Sequence, residues 1–240
     1  MPRFPSLVVL ALLAACSGHR PAVTPTPLAA QPKHLKWVRS AAEYPALTLQ
    51  VYREATRVVL DQGRSLPRGS WAVILDADET VLDNSEHERR VALAGVSFSD
   101  ATWAPWVREG AAPAIPGAVD FIRAVQDGGG RIAIVTNRAD SLCDVTRTNL
   151  EQVGVRADLV LCKPTGGSDK NPRFEMVQRG TAPGATGPLT VVAWVGDNIL
   201  DFPGMSQAAR QDPAMLAPFG SRWFILPNPM YGSWERNVEQ

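Results

Sequence analysis

The chain has 240 residues, enough for one large domain or for a domain that carries a modest insertion. Its hydrophobic fraction of 45% and charged fraction of 20% are those of an ordinary globular protein. Lys plus Arg and Asp plus Glu are equal at 24 each, and no basic run is visible, which argues against a protein that binds nucleic acid polymers.

The N-terminal residues indicate export. Arg3 precedes an apolar run from Leu7 to Leu13, which is too short to span a bilayer as a stable helix. The ending Leu13-Ala14-Ala15-Cys16 resembles a bacterial lipobox, in which the cysteine is acylated and becomes the new N-terminus. We therefore predict a lipoprotein signal peptide over residues 1–15 and a lipidated Cys16. Residues 16–33, rich in proline and without apolar periodicity, are predicted to be a flexible tether.

Ser17, directly after the cysteine, resembles the residue that lets a Gram-negative lipoprotein reach the outer membrane. The expected location is therefore the cell envelope, with the protein attached to the outer membrane by its lipid. An ordinary signal peptide that happens to contain a cysteine is the alternative.

Helical and strand patterns alternate over residues 34–240. Helical spacing runs from Leu35 to Leu60, with a break expected at Pro45. Helical stretches are also predicted at Gly117–Gln126 and Ser141–Val153. Four apolar runs predict strands that are buried on both faces: Trp71–Leu75, Arg131–Val135, Leu159–Leu161 and Val191–Val195. A last run, Trp223–Leu226, is a candidate for a further strand. This order predicts an α/β fold with a doubly wound, mainly parallel sheet.

Two further features of this region concern an insertion and two cysteines. The interval from about 84 to 115 is longer than a simple crossover needs, and it predicts a small helical cap inserted above the edge of the sheet. Cys143 and Cys162 would meet oxidising conditions in an exported protein, but a sequence does not show whether two cysteines are close. We expect two separate, half-buried thiols.

Carboxylates collect where the predicted strands end. Asp76 and Asp78 follow the first strand two residues apart, so an extended backbone points both the same way. Asp197 follows the strand Val191–Val195, and Asp201 lies four residues further on. Ligands bind at this edge of parallel sheets. Carboxylates this close repel each other, and Mg²⁺, which takes oxygen ligands, water and substrate phosphate, is the expected compensator.

Two other interpretations apply to these acidic residues. A calcium loop beginning at Asp76 would have Thr80 at its fifth position and Val81 where a glycine is needed, and a strand instead of a helix precedes it. Asp197 and Asp201 taken alone fit a helix cap with a solvated neighbour. The combination of the two acidic clusters favours the metal site.

The motifs "ILDADETVLDN" and "WVGDNILDF" resemble the two signatures of the class C bacterial nonspecific acid phosphatases. These enzymes belong to the haloacid dehalogenase (HAD) superfamily, and many are outer-membrane lipoproteins. "IVTNR" and "FGSRWFILPNPMYGSWE" are similar to further segments of that family, so the resemblance extends from about Trp37 to Glu235. It implies a HAD-like fold with a cap, and hydrolysis of small phosphomonoesters, including nucleoside 5'-monophosphates.

The resemblance also implies residue roles. Asp76 would be the nucleophile that forms an aspartyl-phosphate, and Asp78 would be the general acid and then the general base. Mg²⁺ would be held by the Asp76 side chain, the Asp78 backbone carbonyl and Asp197, with Asp201 in support. Glu79, within the same motif, receives no chemical task and is expected to be a local structural group, as is Asp83.

Phosphate-binding groups follow from the same comparison. Thr136 would hydrogen-bond the phosphoryl oxygens, with Asn137 as a nearby donor. "SDKNPR" resembles the family's Ser-x-Lys-x-x-Arg pattern, which selects Lys170 as the phosphate-binding lysine with Arg173 in support. Lys163, also at a strand end, is the rival.

Aromatic residues are the candidates for substrate recognition. Trp103, Trp106 and Tyr231 resemble residues that sandwich a nucleotide base in some family members. The alternative for both tryptophans is packing of the cap onto the sheet. Two other functions remain open: a phosphotransferase or narrow-specificity phosphatase on the same scaffold, and a non-catalytic surface lipoprotein. The second is disfavoured because the aspartates and a suitable lysine are all present.

Overall fold

The computed structural model describes residues 31–238, which form an α/β domain around one sheet. The five strands are all parallel and lie in the order β3-β2-β1-β4-β5. Their bounds are β1 Trp71–Leu75, β2 Arg131–Ala139, β3 Leu159–Lys163, β4 Thr190–Gly196 and β5 Trp223–Ile225. The chain therefore starts in the centre, moves outward on one side and returns to build the other side. This confirms the predicted doubly wound parallel sheet.

Seven α-helices surround the sheet in the described residues. Their bounds are α1 Lys33–Ser40, α2 Glu43–Gly63, α3 Ser85–Ala94, α4 Asp100–Glu109, α5 Ala118–Asp127, α6 Cys143–Gln152 and α7 Asn171–Arg179. Short 3-10 helices cover Asp140–Leu142, Ile199–Asp201, Gln207–Gln211, Pro213–Leu216 and Ser233–Arg236. None of the helices in this part of the chain is long and apolar enough to cross a membrane.

The sheet has a buried layer on each face, which explains the continuous apolar runs. Every residue of β1 is buried. Because side chains alternate along a strand, Val73 and Leu75 join the layer that contains α2 and α5, whereas Ala72 and Ile74 join the layer that contains α7. Each fully buried valine, leucine or isoleucine side chain contributes about 1.5–3 kcal/mol relative to exposure, so this double burial fixes the position of β1.

The first predicted helix is two helices in the structure. α1 ends at Ser40 and α2 begins at Glu43, so Pro45 lies in the first turn of α2. Proline is tolerated there because the first-turn N–H groups have no intrahelical acceptor. The break therefore lies just before Pro45 instead of at it.

The interval between β1 and α5 is helical, as its length suggested. α3 follows Asp83, whose Oδ1 accepts a hydrogen bond from the backbone N–H of Ser85 at 2.8 Å. Ser99 and Thr102 form a capping box at the start of α4. α3 and α4 thus have their own start signals, and together they form the helical part of the predicted cap, residues 84–115.

An ion-pair cluster connects α3 with the helices on either side. Glu86 binds Arg39 of α1 at 3.2 Å, and it also binds Arg89 and Arg90 within α3. Arg90 in turn binds Glu109 of α4 at 2.7 Å. Hydrogen bonds from the arginines lower the pKa of Glu86 to about 2.

The prediction of two separate thiols is wrong. Cys143 and Cys162 form a disulfide, with their Cα atoms 5.9 Å apart. Cys143 begins α6 shortly after the end of β2, and Cys162 lies near the end of β3. Because α6 returns the chain to the start of β3, and β3 runs parallel to β2, the two cysteines lie close together. Cys16 and the predicted signal peptide lie outside the described residues.

Candidate active site

Three carboxylates converge at the C-terminal edge of the two central strands. Asp76 directly follows β1, Asp197 directly follows β4, and Asp201 ends the 3-10 helix Ile199–Asp201. One carboxylate oxygen from each lies within 4.8 Å of the others. The close approach depends on Gly196, because a Cβ atom there would lie 2.4 Å from the Asp201 Cβ. The sequence prediction that the two acidic motifs meet is therefore correct for these three residues.

Lys170 lies among these carboxylates. Its Nζ is 2.5 Å from Asp76 Oδ1 and 2.6 Å from Asp201 Oδ1, and the residue is only 4% exposed. Burial alone would lower the pKa of Lys170, but Asp201 and Asp76 outweigh it and hold this pKa above its usual value. The lysine is therefore a fixed positive charge beside the predicted nucleophile.

The local charge balance fits a metal ion. Burial raises the pKa of Asp76 and of Asp197, and repulsion between the carboxylates raises both further. One lysine does not neutralise three carboxylates, of which Asp76 and Asp201 are buried and Asp197 is half-buried. Since all three donors are hard oxygens in one small space, the donor set fits a hard divalent cation.

Asp78 is not part of this cluster and forms a second group with Arg138 and Asn84. Its Oδ1 accepts hydrogen bonds from Arg138 Nε at 2.9 Å and from Asn84 Nδ2 at 2.9 Å, and Arg138 Nη2 lies 2.8 Å from the same oxygen. Arg138 is 1% exposed, whereas the Asp78 side chain is 17% exposed. Asp78 is thus the more accessible partner of a buried arginine.

Glu79 supports the turn that carries these aspartates. It is 1% exposed and has a φ of 51°, a conformation that is uncommon outside glycine. Its Oε1 accepts a hydrogen bond from the Asn84 backbone N–H at 2.7 Å, and its Oε2 accepts one from Asn84 Nδ2 at 3.3 Å. Burial, and then the Asp78 carboxylate, raise the pKa of Glu79 well above its usual value. These contacts are structural.

Asp197 is oriented by residues from two other segments. Asn228 donates to its Oδ2 at 2.8 Å, and the Thr80 hydroxyl donates to its Oδ1 at 3.3 Å. Both donors come from residues that the sequence analysis left without a role. The "ILPNPMY" segment carries Asn228, so its place in the resemblance was a usable signal.

The predicted phosphate-binding residues lie at the end of the β2 pairing. Arg173 donates to the Thr136 backbone carbonyl, and it donates to Asn137 Oδ1 at 2.6 Å. The buried Thr136 hydroxyl accepts a hydrogen bond from the Arg138 backbone N–H at 3.1 Å, so its own proton is free to donate. Arg173 therefore positions the Thr136-Asn137 part of β2.

The structure brings Lys170, and not Lys163, against Asp76. Lys163 ends β3 and is half-buried beside a surface groove with Pro164–Ser168. Lys170 is placed differently because it immediately precedes α7, a helix that the sequence analysis did not assign.

The aromatic candidates differ in exposure. Trp106 is 4% exposed, its Nε1 donates to Asn84 Oδ1 at 2.8 Å, and Arg90 lies over its ring. These contacts describe packing and positioning, the alternative given for this residue. Trp103 is half-buried beside His87, with ring centroids 5.1 Å apart. Base stacking by these tryptophans, and by the half-buried Tyr231, stays a prediction.

Carboxylates after β1 and β4, a threonine in β2 and a buried lysine before α7 make up this site, as the resemblance to the HAD superfamily implies. The family model of the HAD superfamily, subfamily IIIB (acid phosphatase), matches residues 13–234. The chain belongs to this family.

Relatives with known names agree with that assignment. The class C acid phosphatase from Bacillus anthracis with tungstate bound has a TM-score of 0.76 and 29% identity, covering 84% of this chain and 85% of that one. A second structure of the B. anthracis enzyme gives a TM-score of 0.74 at 30% identity over the same shares. These matches confirm the predicted HAD-like fold.

Plant proteins are more distant. Acid phosphatase 1 of Solanum lycopersicum is 27% identical over 176 residues, which are 71% of this chain and 60% of that protein. The stem 28 kDa glycoprotein of Glycine max is 25% identical over 167 residues, or 66% and 58% of the two chains. The chain spans about three fifths of the length of the curated relatives it matches.

Proposed function

We propose that this protein is a Mg²⁺-dependent acid phosphatase that hydrolyses small phosphomonoesters through an aspartyl-phosphate. The observation that carries the proposal is the contact of Lys170 with Asp76 inside the carboxylate group that also contains Asp197 and Asp201. Membership of subfamily IIIB supports the same chemistry.

The reaction has two steps. The Asp76 carboxylate attacks phosphorus, the bond from phosphorus to the ester oxygen breaks, and Asp78 gives its proton to the departing alkoxide. Asp78 then accepts a proton from water, which attacks the aspartyl-phosphate, so that inorganic phosphate leaves and the Asp76 carboxylate is restored. A covalent intermediate divides one difficult displacement into two easier ones.

The remaining groups bind and neutralise the phosphoryl oxygens. Lys170 supplies a fixed positive charge, and Thr136 supplies a hydroxyl donor whose backbone is held by Arg173. Asn137 is exposed next to it and adds a polar contact. Mg²⁺ would be held by Asp76, the Asp78 backbone carbonyl, Asp197 and Asp201, and it would neutralise charge so that an anionic carboxylate can approach an anionic phosphate.

Nucleoside 5'-monophosphates are the proposed substrates, and the support is the half-buried Trp103, whose ring lies 5.5 Å from the guanidinium carbon of Arg138. Trp103 and Tyr231 are the candidates for base stacking, which tolerates different bases. Trp106 would act by holding Asn84.

The proposed location is the outer membrane of a Gram-negative bacterium, with a lipid on Cys16. The support is the Leu13-Ala14-Ala15-Cys16 sequence followed by Ser17. Labelling with a radioactive fatty acid tests this: wild type takes up the label, and Cys16→Ala does not. Label on the variant would contradict the assignment.

The activity is tested by phosphate release from nucleotides and sugar phosphates, with and without a chelator. Wild type should lose activity in chelator and recover it with Mg²⁺, and Asp76→Asn should be inactive in both. Asp127→Asn is the matched control, because Asp127 is an exposed aspartate at the end of α5, near the opposite edge of the sheet. Activity that survives the chelator or the Asp76→Asn change would refute the proposal. Phosphate transfer to an added alcohol would indicate the phosphotransferase.

A further inference from the structure

We infer that Arg138 and Asn84 form a clamp that fixes one oxygen of Asp78 and presents the other to the leaving group. The clamp consists of these two side chains. Asp78 was assigned a proton-transfer role above, and this inference rests on that proposed function. Arg138 and Asn84 would be positioning residues that act through Asp78.

Arg138 and Asn84 contact only one of the two carboxylate oxygens of Asp78. Arg138 Nε, Arg138 Nη2 and Asn84 Nδ2 all lie within 2.9 Å of Asp78 Oδ1. An arginine that bound both oxygens side by side would occupy the whole carboxylate. Here Arg138 donates to Oδ1 through Nε, and its Nη2 lies in ion-pair contact with the same oxygen, so the other oxygen remains available.

The other carboxylate oxygen of Asp78, Oδ2, is not held by the clamp. Among the described residues, no hydrogen bond reaches Asp78 Oδ2. Oδ2 has no hydrogen-bond partner in the described residues, and it is not one of the buried polar atoms without a partner. It is therefore accessible to solvent. Because Oδ1 already accepts two hydrogen bonds, Oδ2 is the oxygen that is free to exchange a proton with a leaving group. The clamp thereby selects the oxygen that meets the substrate.

Contacts with neighbouring side chains hold the clamp rigidly in place. Arg138 is 1% exposed, donates through Nη2 to Asn84 Oδ1 at 3.2 Å, and lies with its guanidinium carbon 5.5 Å from the centre of the Trp103 ring. Asn84 is fully buried, and Trp106 of α4 donates to its Oδ1 at 2.8 Å. The clamp is therefore supported from β2 on one side and from the cap helix on the other. Because Arg138 and Asn84 are held in one conformation, they keep the Asp78 carboxyl group in one orientation.

The inference is tested by leaving-group dependence, which a merely structural role would not change. The full chain is assayed with Mg²⁺ on p-nitrophenyl phosphate, whose leaving group needs little protonation, and on benzyl phosphate, whose alkoxide needs a proton. The quantity measured is kcat/KM, because it covers the steps up to formation of the aspartyl-phosphate. Each variant is assayed below its own unfolding transition.

Arg138→Lys keeps the charge but loses the planar group that donates to Asp78 Oδ1 and to Asn84 Oδ1 at the same time. We expect kcat/KM for benzyl phosphate to fall by about 10²-fold, and that for p-nitrophenyl phosphate by less than about 10-fold. Asn84→Ala, which leaves the buried arginine intact, should change the two substrates in the same unequal way and serves if Arg138→Lys does not fold. Thr146→Val is the matched control, since Thr146 contacts the other end of the guanidinium, Nη1, at 3.5 Å and does not touch Asp78. It should affect both substrates equally.

The Asp78→Asn variant distinguishes failure of the clamp from failure of the acid role proposed for Asp78. If Asp78→Asn shows the unequal loss but Arg138→Lys and Asn84→Ala lower both substrates alike, the clamp is overturned and the proposed function stands. If Asp78→Asn itself lowers both substrates alike, the acid role proposed for Asp78 fails.

Discussion

Reduction of the Cys143–Cys162 disulfide should lower the free energy of unfolding by about 3 kcal/mol. The two residues are 19 apart in the sequence, and a cross-link over a loop of that length removes this much chain entropy from the unfolded state. Both cysteines are 7% exposed, and reduction keeps the two side chains in place, so the change measures the cross-link and not a cavity. For a domain of this size the melting temperature should fall by about 10 °C.

Urea denaturation with and without dithiothreitol measures the difference. The control is the double variant Cys143→Ala/Cys162→Ala, whose free energy of unfolding should not respond to the reductant. A loss below about 1 kcal/mol in wild type would refute the loop-entropy reasoning, as would an equal response of the double variant.

Glu86→Gln should lower the free energy of unfolding by about 1 kcal/mol at pH 7, a value reduced from the full pKa shift because solvent screens this surface cluster. The pKa of Glu86 is depressed from 4.5 to about 2, so its contribution is complete above pH 4.5 and disappears as the pH falls towards 2; a gap that persists at low pH in urea titrations would contradict this. Gly196→Ala should displace Asp201 and reduce phosphate release by about 10²-fold. Gly167→Ala, with open space around its Cα, is the control, and normal activity and Mg²⁺-dependent thermal stabilisation of Gly196→Ala would disprove the packing argument.

The strands were predictable because burial on both faces leaves a continuous apolar run. Trp71–Leu75 was predicted with the observed bounds. β2 extends to Ala139, beyond its apolar run, because the pairing resumes where Ala139 lies opposite Lys163. α7 was not predicted, since its few apolar residues give a weak helical pattern, although Pro172 in its first turn is a helix start signal.

The aspartates of the site were predictable from their positions at strand ends. The clamp was not, because Asn84 and Arg138 are 54 residues apart and their meeting depends on how the cap packs. The disulfide was missed for the same reason: spacing in sequence carries no distance, and only the return of α6 to β3 brings Cys143 to Cys162.

The contact of Asn228 with Asp197 has a consequence for synthesis of the chain. Asn228 is 31 residues downstream of Asp197, and Ser233 holds the neighbouring Asn198 through a 2.7 Å hydrogen bond. A chain that emerges from its N-terminus therefore exposes every acidic residue of the site, and Thr80, well before Asn228, the second residue that orients Asp197. The fully oriented site arises only on molecules translated past Asn228, so prematurely terminated chains lack it.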